Sequence, residues 1–420
     1  MLPDLIEIVP PARPVDSTVV LPGSKSLTNR ALILAALARH PVTLRGALWS
    51  EDTQAMVDCL ERLGFGVRVE DDPAEPANRT LTVQGAGGRI PKAGTPDQPI
   101  ELFVENAGTA ARFLAPFLCL GQGSYRLSGI PRMHQRPQAA LVQALRALGY
   151  RIDTPNDRLP AIVHGTGPHP GAACSVSVEE SSQFASALLL CAGAGGWQVT
   201  VTGANEDELP YVEMTRRLVK DFPWDGGTYD IEADASGASY FWGADWLLRN
   251  GGGHVAVQPT PASGMQADQK FLDLILNAPW RSSYSRKTDL ADSIMTAIVL
   301  APFAPVATRF TDLGRLRVQE CERVQALHTE LAKCGARVEE RGDTLTLHPG
   351  PLHGAEIETY NDHRVAMCFG MLGLRVPGLR LRDPACVRKT FPNFFAKLAG
   401  LGAVVKDADG RPLGGEALLA

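Results

Sequence analysis

Aromatic residues make up only 6% of the sequence. The formal net charge is −5, and the sequence contains no run of basic residues. Stacking on nucleic-acid bases and attraction to a polyanion are therefore poorly supported. No apolar run approaches the roughly 20 residues of a membrane-spanning helix. Residues 1–16 also lack the charged and then apolar pattern of a signal peptide. These absences argue against a nucleic-acid-binding or membrane protein.

Cysteines are few and scattered. The eight cysteines form no Cys-x-x-Cys pair, so a clustered zinc site is not supported and we predict no bound metal. In a chain of this length, isolated cysteines are typical of reduced, mostly buried thiols in a reducing cytosol. We therefore expect a cytoplasmic protein with free thiols.

The chain is long enough for more than one hydrophobic core. Its 420 residues, 45% of them apolar, exceed the size at which a single core usually stops growing, so we expect two domains. Because the net charge is negative, an anion-binding site must depend on a small number of basic residues that the fold gathers in one place.

Six segments share one pattern, in which a short polar stretch containing Gly or Ser leads into a helix rich in Ala and Leu. Apolar residues occupy nearly every side of these helices, which predicts burial. The segments are Gly23–Ala38, Asn106–Leu120, Ser181–Ala194, Asp234–Leu248, Asp289–Ala304 and Tyr360–Leu374.

Each of these segments is followed by a second predicted helix with one polar face. The second helices are Glu51–Leu63, Pro137–Leu148, Tyr211–Phe222, Gln266–Leu276, Glu320–Cys334 and Phe391–Leu401. In four of them a glycine follows the last helical residue, at Gly64, Gly149, Gly335 and Gly402, which predicts a C-cap and then a strand.

We interpret this pattern as six copies of a strand–helix–strand–helix–strand unit, three in each domain. The alternative is an ordinary α/β protein whose helices share a composition by chance. Bundled helix N-termini would present free N–H groups and partial positive charge, which favours anionic ligands without much net positive charge.

Lys25, Ser26 and Arg30 lie where the first buried helix begins, in the segment Leu21–Arg30. A lysine supplies a mobile point charge, and an arginine offers a fork that matches a carboxylate. The upstream glycine of a nucleotide-binding P-loop is missing. A capped helix with exposed cations is the alternative reading.

Two further helix starts carry small or hydroxyl residues. Asn106–Arg112 contains Gly108, where a ligand can approach the backbone closely. Ser181, Ser182 and Gln183 offer three hydrogen-bonding side chains that suit a phosphate or a polyol. Each segment taken alone is equally consistent with a helix cap or a close packing contact.

The second half of the chain adds charged motifs. Glu320 and Arg323 are three residues apart, hence neighbours on one face of a helix, and this pair can serve proton transfer or form a surface ion pair. Tyr360–Arg364, with four polar residues after the tyrosine, lies directly before an apolar helix. Arg388–Pro392 lies at another predicted helix start.

Together these motifs resemble the EPSP (5-enolpyruvylshikimate-3-phosphate) synthase family of enolpyruvyl transferases. The resemblance extends from Leu21 to Leu398 and includes Asp234–Phe241 and Ala291–Thr296. The related transferases that act on UDP-N-acetylglucosamine look less similar, because their lysine–asparagine motif and catalytic-cysteine loop have no counterpart here.

The resemblance implies a two-domain inside-out α/β barrel, with three βαβαββ-type units and buried parallel helices in each domain. Residues 1–21 and 235–420 would form one domain and residues 22–234 the other, with hinges near 20–22 and 234–236. The implied reaction transfers the enolpyruvyl group of phosphoenolpyruvate to the 5-hydroxyl of shikimate-3-phosphate through a tetrahedral intermediate. It needs no cofactor, and we expect a monomer.

The resemblance also implies residue roles. Glu320 would donate and later accept the proton at carbon, Asp292 would accept the hydroxyl proton, and Lys25 would lie between the reacting groups. His363 would support the leaving phosphate or tune Glu320. The implied phosphoenolpyruvate ligands are Lys25, Gly108, Arg136, Gln183, Arg323, Arg364 and Lys389. The implied shikimate-3-phosphate ligands are Lys25, Ser26, Arg30, Ser181, Ser182, Gln183, Tyr211, Asp292 and Gln319.

Three positions depart from the family pattern on the shikimate-phosphate side. Gln319 stands where the family often has Lys, Arg315 where it often has Asn, and Glu208 where it often has Ser. A carboxylate facing a phosphate is repulsive, so we expect Glu208 to pair with Arg315 or another cation, or to point away. The alternatives are a paralogue that acts on a different cyclic alcohol and a non-catalytic metabolite-binding relative.

Overall fold

The computed structural model describes residues 2–203 and 209–420. Its contacts divide the chain into two compact units. The inserted unit is Gly23–Glu232, and the discontinuous unit combines Met1–Pro22 with Ala233–Ala420. These boundaries lie within two residues of the positions that the sequence predicts.

The described residues form twenty strands, four to seven residues long in most cases. They are β1 (Leu5–Val9), β2 (Asp16–Val20), β3 (Val42–Leu48), β4 (Val67–Asp71), β5 (Asn78–Val83), β6 (Ile100–Phe103), β7 (Gln122–Ser128), β8 (Arg151–Asp153), β9 (Ala161–Thr166), β10 (Ala173–Ser177), β11 (Gln198–Thr202), β12 (Gly227–Asp230), β13 (His254–Gln258), β14 (Ser283–Ser285), β15 (Thr308–Thr311), β16 (Arg337–Arg341), β17 (Thr344–His348), β18 (Glu356–Glu358), β19 (Leu379–Arg382) and β20 (Val404–Lys406).

Twelve α-helices accompany these strands in the described part of the chain. They are α1 (Lys25–Leu37), α2 (Glu51–Arg62), α3 (Gly108–Cys119), α4 (Pro131–Gln135), α5 (Ala139–Ala147), α6 (Ser182–Gly195), α7 (Leu209–Asp221), α8 (Ala235–Leu248), α9 (Ile294–Leu300), α10 (Arg323–Lys333), α11 (His363–Leu372) and α12 (Phe394–Gly400). None of the described helices is long and apolar enough to cross a membrane.

The strands form six small sheets, three in each unit, and four of the sheets share one pattern. Each four-stranded sheet has one parallel pair followed by two antiparallel pairs. The strand orders are β12-β3-β5-β4 and β6-β7-β9-β8 in the inserted unit, and β14-β15-β17-β16 and β18-β19-β1-β20 in the discontinuous unit. The remaining sheets, β10-β11 and β13-β2, are single parallel pairs. This repetition supports the sixfold interpretation over a chance likeness of helices.

The chain passes from one unit to the other just after a strand. Strand β2 leads into α1 but pairs with β13 of the discontinuous unit. Strand β12 leads into α8 but pairs with β3 of the inserted unit. The N-terminal strand β1 lies between β19 and β20, so the first residues belong with the C-terminal half.

Three buried helices pack against one another at the centre of each unit. Helices α1, α3 and α6 are in mutual contact in the inserted unit, and α8, α9 and α11 are in mutual contact in the discontinuous unit. Eleven of the thirteen residues of α1 are buried, as expected for a helix that is apolar on every side. All eight cysteines are free thiols, and Cys321 alone among them is partly exposed.

The four predicted glycine caps are confirmed by the backbone. Gly64, Gly149, Gly335 and Gly402 have φ values of +93°, +93°, +88° and +89°. A left-handed residue after a helix satisfies its last carbonyl groups, and glycine adopts this conformation without steric cost.

Three predicted helices were wrong in extent. Asp289–Ala304 is not one helix, because Ala291 has φ +47° and the regular part is only α9. Gln266–Leu276 forms a 3₁₀ turn and a π-helical turn in place of an amphipathic α-helix. Helix α10 begins at Arg323, so Glu320 lies in the turn before it and not on its face.

Candidate active site

The three buried helices of the inserted unit are linked by hydrogen bonds within their first two turns. Asn29 donates to the hydroxyl of Thr109 at 2.8 Å, which joins α1 to α3. Arg112 donates from Nη1 to Oε1 of Gln183 at 2.7 Å, which joins α3 to α6. Their N-terminal ends therefore lie together, and three sets of backbone N–H groups converge in this unit.

Lys25 is the first residue of α1, and its charge is held by a carboxylate that the sequence analysis did not assign. Nζ of Lys25 lies 2.9 Å from Oδ2 of Asp52, whose side chain is 2% exposed. Asp52 lies in the first turn of α2, which starts with a capping box between Ser50 and Thr53. The lysine keeps 20% of its side chain exposed, so it remains accessible to a ligand.

Arg30 lies inside the unit, since only 1% of its surface is exposed. Its guanidinium donates to the hydroxyls of Thr215 and Ser186 at 2.8 and 3.1 Å. It also lies 5.0 Å from the ring centre of Phe113. Burial lowers the pKa of Arg30 to about 10, although Tyr211 opposes the shift. Direct contact between Arg30 and a substrate therefore stays a prediction.

Gly108 begins α3 directly beneath two arginines. A Cβ atom at this position would lie 2.6 Å from Nη1 of Arg112 and 2.8 Å from Nη2 of Arg136. Arg136, which is mostly buried, donates to the carbonyl oxygen of Asn106 at 3.0 Å. Because Gly108 has no side chain, both guanidinium groups can lie close to the backbone at the start of α3.

Ser181 and Ser182 are buried at the start of α6. Ser181 is the N-cap and accepts a hydrogen bond from the backbone N–H of Gln183 at 3.3 Å. Tyr211, in α7, is partly buried, and its carbonyl oxygen accepts from Thr215 at 2.9 Å. The structure therefore places Ser181, Ser182, Gln183, Tyr211 and Arg30 in one neighbourhood of the inserted unit.

Asp292 is the centre of a charged cluster in the discontinuous unit. Arg286 donates to its Oδ1 at 2.9 Å, and Arg364 lies 3.5 Å from its Oδ2. Burial alone would raise the pKa of Asp292, but Arg364, Arg286 and Arg323 outweigh it and hold the pKa well below its usual range. Asp292 is therefore an ionised carboxylate across the physiological range.

A second buried carboxylate, Asp268, is connected to the same arginine. Arg364 donates to the hydroxyl of Ser236 at 3.2 Å, and this hydroxyl donates to Oδ2 of Asp268. The backbone N–H of Ser293 donates to Oδ1 of Asp268 at 2.8 Å. Burial raises the pKa of Asp268, and Arg364 opposes the rise. The chain Arg364–Ser236–Asp268 fixes the arginine on one side while Asp292 holds it on the other.

Arg323 connects the remaining charged residues of this unit. Its Nε donates to Oδ2 of Asp362 at 2.7 Å, its Nη2 lies 2.9 Å from Oε2 of Glu320, and its Nη1 donates to Oε1 of Gln319. Arg323 and Asp362 are almost completely buried, and the side chain of Glu320 is 10% exposed. The Glu320–Arg323 pair forms as the spacing predicts, although Glu320 precedes the helix.

Asp362 also positions the start of α11. It is the N-cap, and its Oδ1 accepts from the backbone N–H of Arg364 at 2.9 Å. His363, the first residue of this helix, is 3% exposed. Lys389 is buried at the end of the 3₁₀ turn Pro384–Lys389. Asp362 thus accepts hydrogen bonds from the side chain of Arg323 and from the backbone N–H of Arg364, and it orients both residues.

Several of these side chains follow residues in the left-handed region of backbone conformation. Tyr360 and Asn361 have φ values of +55° and +51°, and Ala291 has +47°. Asp312 and Asp383, at +61° and +49°, begin the turns that carry Gln319 and Lys389. Non-glycine residues in this region are uncommon and cluster at functional sites.

The structure describes two of the three positions that depart from the family pattern, Gln319 and Arg315. Gln319 accepts from Arg323, and Arg315 lies half-buried in the 3₁₀ turn Leu313–Val318. Glu208 lies outside the described residues. The expected pairing of Glu208 with Arg315 therefore stays a prediction.

Four charged residues of these clusters had no predicted role: Asp52, Asp268, Arg286 and Asp362. Asp52 and Asp268 occur near the starts of the first and fourth second-helix segments, and this shared position was an available signal. Arg286 belongs to no motif, and nothing in the sequence assigned it to Asp292 six residues further on. Among the described residues, no group of three His, Cys, Asp or Glu side chains is arranged to hold a metal ion.

Comparisons with known proteins agree on one family. A sequence model described as EPSP synthase (3-phosphoshikimate 1-carboxyvinyltransferase) matches residues 9–225 and 287–398. A protein from Opitutus terrae named 3-phosphoshikimate 1-carboxyvinyltransferase is 40% identical, over 95% of this chain and 98% of its own length. A protein of the same name from Nostoc punctiforme is 35% identical, over 94% and 98%.

Solved structures show the same fold at lower identity. An EPSP synthase from Acinetobacter baumannii is 21% identical with a TM-score of 0.73, over 96% of this chain and all of that chain. The enolpyruvyl transferase NikO from Streptomyces tendae is 17% identical with a TM-score of 0.69, over 96% and 98%. Fold and relatives together define a transferase with two α/β units of three repeats each. The chain belongs to the EPSP synthase family.

Proposed function

We propose that this enzyme transfers the enolpyruvyl group of phosphoenolpyruvate to the 5-hydroxyl of shikimate-3-phosphate and releases phosphate. The names of the curated relatives support this assignment. The observation that carries it is a pair of carboxylates, Glu320 and Asp292, that arginines hold within one unit. Addition of an alcohol to an enol phosphate requires a proton donor to carbon and a proton acceptor from oxygen.

Glu320 is the proposed proton donor to the methylene carbon of phosphoenolpyruvate and the later acceptor from the methyl group. Its contact with Arg323 at 2.9 Å stabilises the carboxylate that remains after donation. Arg323 is itself held by Asp362 at 2.7 Å, so the position of the acid is determined by a buried network and not by an exposed, mobile pair.

Asp292 is the proposed acceptor of the hydroxyl proton. With Arg286 and Arg364 close by, its low pKa makes it a weak base. In the proposed complex Arg364 contacts the phosphoenolpyruvate anion, which would partly neutralise the arginine and raise the basicity of Asp292. Binding of the correct anion would therefore activate the base, and His363 would support the departing phosphate.

The proposed phosphoenolpyruvate ligands include cations of each unit. Arg136 above Gly108 and the accessible Lys25 come from the inserted unit, and Arg323, Arg364 and Lys389 come from the discontinuous unit. Gln183 is placed by its contact with Arg112. Because both the substrate and its transition state carry several negative charges, preorganised cations lower the barrier without reorganisation.

Shikimate-3-phosphate is assigned to the hydroxyl-rich start of α6 and its surroundings. Ser26, Ser181, Ser182, Gln183 and Tyr211 offer donors to a phosphate or a polyol. Arg30 contributes positive potential beneath them, and Lys25, Asp292 and Gln319 complete the proposed set.

Phosphate release is the direct test of this function. The purified enzyme with phosphoenolpyruvate should release phosphate rapidly when shikimate-3-phosphate is added and very slowly without it. Release that requires a different cyclic alcohol would contradict the proposed acceptor and support a paralogous transferase. Binding of both substrates without any release would support a non-catalytic relative.

The substitution Gly108→Ala should weaken phosphoenolpyruvate binding. The added methyl group would lie within 3 Å of the guanidinium groups of Arg112 and Arg136 and displace them. Loss of one charge-assisted hydrogen bond predicts a rise in the Michaelis constant for phosphoenolpyruvate of about tenfold or more. Steady-state kinetics with each substrate varied in turn measures this.

Gly400→Ala is the matched control, because a Cβ atom on this helical glycine has nothing within 4 Å. Its kinetic constants should equal those of the wild type. A Gly108→Ala enzyme with an unchanged Michaelis constant for phosphoenolpyruvate would argue against Arg136 as a ligand of that substrate.

A further inference from the structure

A cavity of about 610 Å³ opens in the inserted unit at the C-terminal ends of its three buried helices. Its wall includes Leu37 at the end of α1, Leu120 just after α3, and Gly193 and Ala194 in the last turns of α6. The proposed substrate ligands on these helices, such as Lys25, Gly108 and Ser182, lie at the opposite ends. With 12 to 14 residues per helix, the two ends are about 20 Å apart.

The cavity has one rigid aromatic wall. Trp224 lines it, and the indole is held because Nε1 donates to the carbonyl oxygen of Val219 at 2.9 Å. Phe222 packs edge-on against the same ring, with ring centres 5.7 Å apart. A fixed, partly exposed indole offers apolar contact area to a planar ligand at little cost in entropy.

Two arginines line the cavity, and only one of them is paired with a carboxylate of the described residues. Arg39 is paired with Asp225 at 2.7 Å. Arg89, which is exposed beside Gly87 and Gly88, forms no ion pair with any carboxylate of residues 2–203 and 209–420. One cation beside an apolar wall is therefore available for an anionic group of a ligand.

Gly193 lines the cavity from the last turns of α6. Glycine in a helix is unfavourable compared with alanine, yet a Cβ atom at Gly193 would have nothing within 4 Å. Packing among the described residues thus gives no reason for a glycine here. Because Gly193 lines the cavity, a larger side chain at this position can extend into it without displacing a described atom.

We propose that this cavity binds a small monocarboxylate that carries an aromatic ring, with the ring against Trp224 and the carboxylate on Arg89. The volume lies within the range of small-molecule sites. This inference does not depend on the substrates assigned above, because the cavity shares no residue with the proposed catalytic clusters.

Ligand-observed NMR titrations with three probes test the proposal. The probes are 3-phenylpropanoate, its neutral amide 3-phenylpropanamide, and acetate. We expect 3-phenylpropanoate to bind about tenfold more tightly than the amide, as for one charge-assisted hydrogen bond, and acetate not to saturate. Equal affinity of acid and amide would overturn the role of Arg89.

Two variants locate the binding. Arg89→Gln should lower the affinity for 3-phenylpropanoate to that for the amide, and Gly193→Leu should lower both affinities at least about tenfold by filling the cavity. Gly193→Ala, which adds one carbon, is the intermediate control. Retained binding in Gly193→Leu, with an unchanged circular-dichroism spectrum, would exclude this cavity.

Competition separates this cavity from the substrate site. Saturating phosphoenolpyruvate and shikimate-3-phosphate should leave the affinity for 3-phenylpropanoate unchanged. Displacement of the probe by either substrate would show binding at the catalytic clusters and would overturn the proposal. Failure of the proposed reaction itself would appear separately, in the phosphate-release assay.

Discussion

Glu320→Gln should lose about a thousandfold in turnover, in the middle of the range that general acid–base catalysis contributes. The amide keeps the size of the side chain and can still accept a hydrogen bond from Arg323, which lies 2.9 Å from the carboxylate. It cannot deliver a proton to carbon. Dissociation constants for both substrates should therefore stay close to those of the wild type, which isolates the loss in the chemical step.

Single-turnover release of phosphate measures the chemical step, and equilibrium titration measures binding. The control is Glu339→Gln, a carboxylate of β16 that pairs with surface groups such as Arg337 and His348. This control should retain wild-type turnover. Turnover by Glu320→Gln within a few-fold of the wild type would remove Glu320 from the role of acid.

Asp362→Asn should lower both stability and activity, because Asp362 neutralises the buried Arg323. Both side chains are at most 1% exposed, and Nε of Arg323 lies 2.7 Å from the carboxylate. Removing the charge of one partner from a buried pair typically costs about 3–5 kcal/mol, chiefly because the other charge is left without compensation. Since Glu320 and Gln319 still contact Arg323, we expect about 3 kcal/mol, at the lower end.

Urea unfolding followed by circular dichroism measures the change in stability, and steady-state kinetics measures the accompanying loss in kcat/KM. Asp230→Asn is the control, since Asp230 pairs with Arg45 at 2.5 Å on the surface with both side chains more than 60% exposed. Exposed pairs contribute little, so this variant should resemble the wild type. Equal effects of the two substitutions would show that burial does not set the importance of Asp362.

The helices and their caps could be predicted because their signals are local. Apolar residues on every side of Lys25–Leu37 indicate burial wherever that helix finally packs. The glycine after a helix, as at Gly64, predicts a left-handed cap from one residue type. Glu320 and Arg323 lie close in the chain. Their contact was therefore predicted correctly even though the predicted start of the helix was wrong.

The broken helix at Asp289–Ala304 shows where local signals are insufficient. Its composition matches the other buried segments, yet Ala291 adopts φ +47° and only Ile294–Leu300 is regular. The same backbone places the N–H of Ser293 on Asp268 and the carboxylate of Asp292 beside Arg286. These long-range contacts compensate for a conformation that alanine alone would avoid.

Composition and motif order were thus sufficient to predict the class of the protein and its sixfold repeat, and to propose most of the charged residues of the candidate site. These predictions depend on periodicity and on residue type, which can be read from the linear chain. The partners of those charges depended on folding: Asp52 for Lys25, Arg286 for Asp292, and Thr215 with Ser186 for Arg30. Except for Arg286 and Asp292, these pairs join residues far apart in the chain, and all of them depend on burial, which strengthens electrostatic interactions and shifts pKa values. Only the packed structure establishes which charges lose water and which neighbours replace it.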